Sequence, residues 1–199
     1  MLIDRRALLV ATLWLVAGGD PGHAQTTGWP VHRDERAGFE LRHPPAFVAG
    51  AYRNALPPDL LRKLREAGGR VPFEHALALV EPARLGAHDR AALPVGEVTT
   101  ITIEAHAAAE AAARLRLGRQ IYGAGIAEIT IGAHRVQRFP GFPGPYGTAA
   151  FYYLVPLQNG AGLELTAHRK FLEPPPGDTR YDRVIEQIIA TLTIFAPRP

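Results

Sequence analysis

The chain of 199 residues contains no cysteine and no serine. Each absence closes off a chemistry. Without cysteine there can be no disulfide, no thiolate metal site, no Cys–His nucleophile and no lipid anchor on an N-terminal cysteine. Without serine there can be no Ser–His–Asp triad. Lysine is almost missing as well, with Lys63 and Lys170 against 20 arginines. Both lysines read as solvated surface cations, since a lysine becomes reactive only where its surroundings lower its pKa. The arginines are spread along the chain, and nucleic-acid recognition would gather them into a stripe or block. A phosphate-cradling glycine loop ending in lysine is also absent. Gly123-Ala124-Gly125 opens a Gly-x-Gly, but Glu128 stands where a third glycine belongs.

Long apolar runs are scarce too. The one at the N-terminus, residues 7–17, is about half the ~20 residues that a membrane-spanning helix requires. It follows Arg5-Arg6 and precedes the small residues Gly22-His23-Ala24, which together make a secretory signal with cleavage between Ala24 and Gln25. The arginine pair also suits the twin-arginine route. The sequence thus divides into a cleavable signal (1–24), an extended polar segment (25–37) and one domain (38–196), placed in the periplasm or secreted, with no stable membrane insertion after cleavage.

What is present is ordinary globular patterning, 47% hydrophobic and 21% charged. Alternation predicts strands at 39–43, 73–80, 98–104, 126–131, 134–139, 148–157 and 163–171. Asn159-Gly160 joins the last two as a hairpin. Pro57-Pro58-Asp59 opens a short helix closed by Gly68-Gly69, and the Ala-rich run from residue 106 is a second helix, ended by Gly118 or by Gly123-Ala124-Gly125. Tyr181, Val184, Ile185, Ile188, Ile189 and Leu192 recur at helical spacing, and Thr193-Ile194-Phe195 reads as a final short strand. Several hairpins with segregated helices imply an α+β fold, with a mainly antiparallel sheet of about six strands packed with helices.

Seven histidines follow the signal, and no two share a helix face at ligand spacing. The His32-Arg33-Asp34 triplet lacks the metal-binding Asn of a kinase loop, because Phe39 occupies that position. The one assembled candidate for a ligand or metal is the hairpin face carrying Glu164, Thr166 and His168, with His134 approaching from a neighbouring strand. Glu164 and His168 lie ~13 Å apart along a strand and would need that third group. Among the carboxylates, Asp178 and Asp182 suit the start of the last helix. The loop 139–147 carries Phe142 and Tyr146 on a stiff Pro/Gly frame, a suitable partner-binding surface.

Two stretches resemble a known family. Ala37-Gly38-Phe39-Glu40-Leu41-Arg42-His43-Pro44 is similar to the opening strand of PsbP-like domains, and the run from Tyr181 to Phe195 is similar to that group's terminal helix and strand. The resemblance implies a PsbP-like α/β/α sandwich and a role as an exported binding or assembly factor. The matching positions are core positions, so no functional residue carries over. The sequence therefore reads as an exported envelope protein that binds an unidentified protein or small ligand without catalysis or cofactor. A metal-dependent enzyme using histidine and carboxylate groups and a carrier of an amphiphile are the alternatives.

Overall fold

A computed structural model describes residues 26–51, 58–67, 76–81, 101–140, 143–144, 147–148, 151–167 and 180–198. The strands are β1 (Val31–Asp34), β2 (Phe39–Arg42), β3 (Val48–Ala51), β4 (Leu77–Val80), β5 (Ile101–His106), β6 (Ala127–Ile131), β7 (His134–Pro140), β8 (Pro143–Gly144), β9 (Gly147–Thr148), β10 (Phe151–Pro156), β11 (Gly162–Ala167) and β12 (Thr193–Ile194). The helices are α1 (Pro58–Glu66), α2 (Ala108–Tyr122) and α3 (Arg180–Ala190). Seven strands form one antiparallel sheet in the order β3-β4-β5-β11-β10-β7-β6. A second sheet runs β1-β2-β12. The fold is α+β with a mainly antiparallel sheet.

Cross-strand partners share a face of a sheet, so the register sorts the side chains into two layers. One face carries Ile101, Ile103, Leu163, Leu165, Tyr153 and Val136, all essentially buried. α3 covers this face with Tyr181, Ile185, Ile188 and Ile189, and Tyr153 donates its hydroxyl hydrogen to Glu186 at 3.1 Å. Each fully buried isoleucine contributes roughly 1.5–3 kcal/mol of transfer free energy. The helical spacing of those residues in the sequence is this contact. The opposite face is covered by α2. Gly118 lies so close to the Phe139 ring that a Cβ there would overlap it, and Ala111 packs near Gly162.

The small sheet joins the two ends of the described chain. β12 pairs with β2, the Phe195 N–H donates to the Gly38 carbonyl at 2.9 Å, and the Arg198 N–H donates to the Glu35 carbonyl at 2.8 Å. The Arg33 guanidinium sits 4.1 Å from the centroid of the Phe195 ring. Phe39 and Leu41 turn inward into the same core as α3.

Several elements differ from the sequence reading. Residues 31–34 form a strand within the small sheet, although their polar side chains give no alternation. β3, Val48-Ala49-Gly50-Ala51, was not legible because its residues are small. His106 ends β5 instead of opening α2; of the two glycine ends offered by the sequence, α2 passes Gly118, which seats it on Phe139, and stops at Tyr122 before Gly123. The Pro/Gly loop contains the two-residue ladder β8–β9. The Asn-Gly turn is as read: Asn159 and Gly160 take φ of 57° and 76°, and the Leu157 N–H donates to Ala161 at 2.8 Å. Lys63 is exposed on α1, and Lys170 lies outside the described residues. So do Asp178 and residues 1–25, including the Ala24–Gln25 junction.

Gly38 has φ of 77°, and a Cβ there would overlap the Phe195 carbonyl oxygen. Gly38→Ala should therefore lower unfolding free energy by about 2 kcal/mol in urea titration, from the left-handed backbone and the displaced C-terminal strand together. An unchanged midpoint would show that the small sheet contributes little to global stability.

Candidate functional site: a small-residue cleft beside a buried histidine and carboxylate network

The pairing of β5 with β11 sets Thr102 opposite Thr166, Glu104 opposite Glu164 and His106 opposite Gly162, all on the face beneath α2. Two carboxylates directly opposed in a sheet repel one another. The structure offsets this with two basic groups. From α2, Arg114 Nη1 approaches Glu164 Oε2 at 2.6 Å, and from β5 the His106 ring places Nε2 3.2 Å from the same oxygen. His106 Nε2 is also 4.0 Å from Glu104, and its Nδ1 is 3.5 Å from Glu110. Thr166 adds a hydroxyl donor to Glu164 Oε1 at 3.4 Å. Burial pushes the Glu164 carboxyl upward, but the His106 hydrogen bond and the Arg114 charge outweigh it and hold the group below its usual range.

Farther along the same face, the Phe139 and Tyr152 rings stack with centroids 4.6 Å apart, and Tyr122 of α2 meets Tyr152 edge-on at 6.3 Å. Burial pushes the Tyr152 hydroxyl pKa up. The network is closed to solvent at its centre: the His106 side chain is 0% exposed and that of Glu104 7%. General acid–base chemistry needs a group within hydrogen-bond reach of a substrate atom. An enclosed ring with carboxylates at both nitrogens is placed to pin α2 to the sheet.

A cleft of about 1010 Å³ opens beside this network at the end of the sheet. Its walls come from β1 and its turn (His32, Asp34, Arg36), from β3 (Ala49, Gly50), and from the approach to α2 (Ala107, Ala108). The hairpin turn adds Leu157, Gln158 and Asn159. Many of the lining residues are alanine or glycine, so the space comes from missing side-chain volume. Asp34 is occupied in its own turn, where Oδ1 accepts the Ala37 N–H at 2.9 Å. Burial lowers the pKa of His32, which favours its neutral imidazole.

The structure separates some of the residues that the sequence grouped. Glu164 and Thr166 do share a face. His134 is three residues from Gln137, and Gln137 pairs through Leu154 to Glu164, so His134 lies on the other face. Its Nε2 is bonded instead to the Leu192 carbonyl at 2.8 Å. His168, Phe142 and Tyr146 lie outside the described residues. Among the described residues, no group of three His, Cys, Asp or Glu is arranged to hold a metal ion. Sequence reasoning missed His106, Glu110 and Arg114. The signal for His106 was present, because Thr102, Glu104 and His106 alternate. Assigning the Ala-rich helix from residue 106 hid it.

No family model matches the chain, and no curated protein matches it. A solved structure from Bacteroides thetaiotaomicron VPI-5482 is similar at a TM-score of 0.47 and 13% identity, over 83% of this chain and 48% of that one. The chain thus spans about half the length of that structure. A likeness of this degree says nothing of chemistry or partner. Among the described residues, no helix is long and apolar enough to cross a membrane.

Two outcomes follow from these buried charges. Arg114→Leu should destabilise the fold by roughly 1–3 kcal/mol, less than for a fully buried pair because the Arg114 side chain is 34% exposed. Chemical denaturation at pH 7 measures this, and a neutral result would show that the Arg114 contact adds little to stability. Acid sensitivity should arise in two windows. Burial depresses the pKa of His32 and His43 below the usual 6.5, so their stabilisation is complete above about pH 6.5 and declines as pH falls below it. Glu164, held below 4.5, contributes stability that is present above that value and lost as pH falls through the folded value. Melting temperatures from pH 8 to 3 should show both declines, and Glu164→Gln should remove the lower one.

Proposed function

We propose that this chain is an exported, non-catalytic binding domain of the bacterial cell envelope, of PsbP-like type, and that the cleft beside His106 is its binding site. The observation that carries the reading is the cleft itself: about 1010 Å³ walled largely by small residues, next to a polar network whose histidine is enclosed. Ligand sites are concave and mostly apolar, with a few polar groups for orientation. Here Arg36, His32, Gln158 and Asn159 are the polar groups, and Leu77 and Leu157 supply apolar surface. The absence of serine and cysteine and the secretory signal at 1–24 support the same reading. So does the family resemblance around Gly38-Phe39 and the closing helix. Phe142 and Tyr146 are a second contact surface in this proposal, on the segment that holds the β8–β9 ladder.

The Glu104–His106–Glu164 grouping favours a second reading, acid–base catalysis. It would require α2 to lift and expose a ring that Glu110 and Glu164 now enclose. The binding reading needs no such opening.

Ala108 is exposed and lines the cleft, so Ala108→Trp sets a bulky ring into the space at little cost to the fold. In native mass spectra of protein purified from an exporting host, the wild type should carry a non-covalent adduct. Ala108→Trp should lose it while keeping its melting temperature within a few degrees. An adduct retained by the variant would place binding elsewhere, and a wild-type spectrum free of adduct would count against the cleft as a stable site.

A further inference from the structure

The two helices that cover the sheet are attached to different degrees. α3 has 11 residues and buries Tyr181, Ile185, Ile188 and Ile189. α2 has 15 residues and buries two, Ala111 and Gly118, neither of which brings much apolar surface. The Ala107 side chain gives its N-terminus no hydrogen-bonded cap. The rest of its hold on the sheet is the Arg114 contact with Glu164, the Glu110 contact with His106, and the Tyr122 ring edge-on to Tyr152. Taking charges out of water offsets much of what such contacts gain, so they fix the position of the helix while adding little to its hold.

Separating α2 from the sheet costs little on either side. Glu110 and Arg114 are one turn apart on the helix, with Oε1 and Nε 3.8 Å apart, so each keeps a partner when the helix leaves. The surface left behind carries Glu104, Glu164 and Thr166, which water solvates. Separating α3 would instead expose a layer of isoleucine, leucine and tyrosine, and the hydrophobic effect opposes that. The apolar loss under α2 is confined to Phe139 and Tyr152, against its C-terminal half.

The joints on either side suit such a movement. Ala107 alone separates β5 from α2, and it is exposed. Gly123, Ala124 and Gly125 follow the helix and are exposed as well. Gly123 takes φ of 50°, with nothing within 4 Å of where a Cβ would stand. The helix can therefore pivot at Ala107 and draw slack from the glycine turn. Ala107 and Ala108 line the cleft, so the pivot stands in the cleft's wall.

We infer that α2 is a lid on the cleft. It leaves the sheet while α3 and the seven-stranded sheet stay folded, and the cleft then extends beneath it over Glu104, His106 and Glu164. Elements with few buried apolar contacts are the ones that open in this way. The lid goes beyond the reading of the cleft as a binding site and does not depend on a ligand being there.

Native-state amide hydrogen exchange on the whole protein tests the lid. A helix of 15 residues off its sheet is marginal in water, so its amides exchange once it lifts. Amides 112–121 should be protected roughly a hundredfold less than the slowest amides of α3 and β11, with one common opening that low denaturant hardly changes. Protection equal to that of α3, or loss of protection at the helix ends alone, overturns the lid. A tether gives a second readout. The Ala111 Cβ is 3.0 Å from where a Cβ on Gly162 would stand, and the chain has no cysteine of its own. Ala111→Cys with Gly162→Cys therefore allows a single disulfide between α2 and β11. Oxidation should slow the α2 amides by about tenfold or more, and reduction should restore them. Fast exchange that persists under the oxidised tether would show that the helix melts in place, and would overturn the lid as well.

Discussion

Glu104 and Glu164 face each other across adjacent strands near the middle of the sheet, under a helix, where water cannot screen them. Such a pair needs compensating groups from within the fold. The His106 ring reaches it from the same strand as Glu104, and the Arg114 guanidinium reaches it from α2. The position of the helix follows from this need, because Arg114 must fall over Glu164 while Glu110 meets the second ring nitrogen of His106. α2 has few large apolar residues to bury, and Leu117 and Ile121 are more than half exposed. Its attachment therefore relies on the charge network, on the seat that Gly118 makes for Phe139, and on the aromatic contacts at its C-terminal end.

The two faces of the sheet are held by different physics. Beneath α3 the layer is apolar, and its tolerance to substitution should follow volume and shape. Beneath α2 it is polar at one end and aromatic at the other, and it depends on satisfied hydrogen bonds and balanced charge. The cleft opens where the polar layer ends, as α2 begins at alanines and the neighbouring hairpin turns at Asn159-Gly160. Ala105, Ala107, Ala108 and Ala161 leave the space there unfilled.

Much of the apolar layer was legible in the sequence. Tyr181, Ile185, Ile188 and Ile189 announce a helix through their spacing, and Ile101 and Ile103 or Leu163 and Leu165 announce strands through theirs, because burial of one face imposes a period on the chain. The polar layer was only half legible. The parity of Glu164 and Thr166 could be read, but the partner strand could not, so His134 was assigned a role that the register gives to His106. Local propensity also misled at residue 106, where a helix-favouring run follows directly on the last residue of a strand.

The sequence by itself determined the class of fold, the hairpin at Asn159-Gly160, the amphipathic closing helix and the exclusion of serine and cysteine chemistry. Each of these depends on residue identity or on spacing within one element. The pairing of Glu104 with Glu164, the reach of Arg114, the closure of Gly38 against Phe195 and the cleft at the end of the sheet were decided only by the tertiary structure. They join residues distant in the chain, and the register and strand order that bring them together are set by the whole core at once.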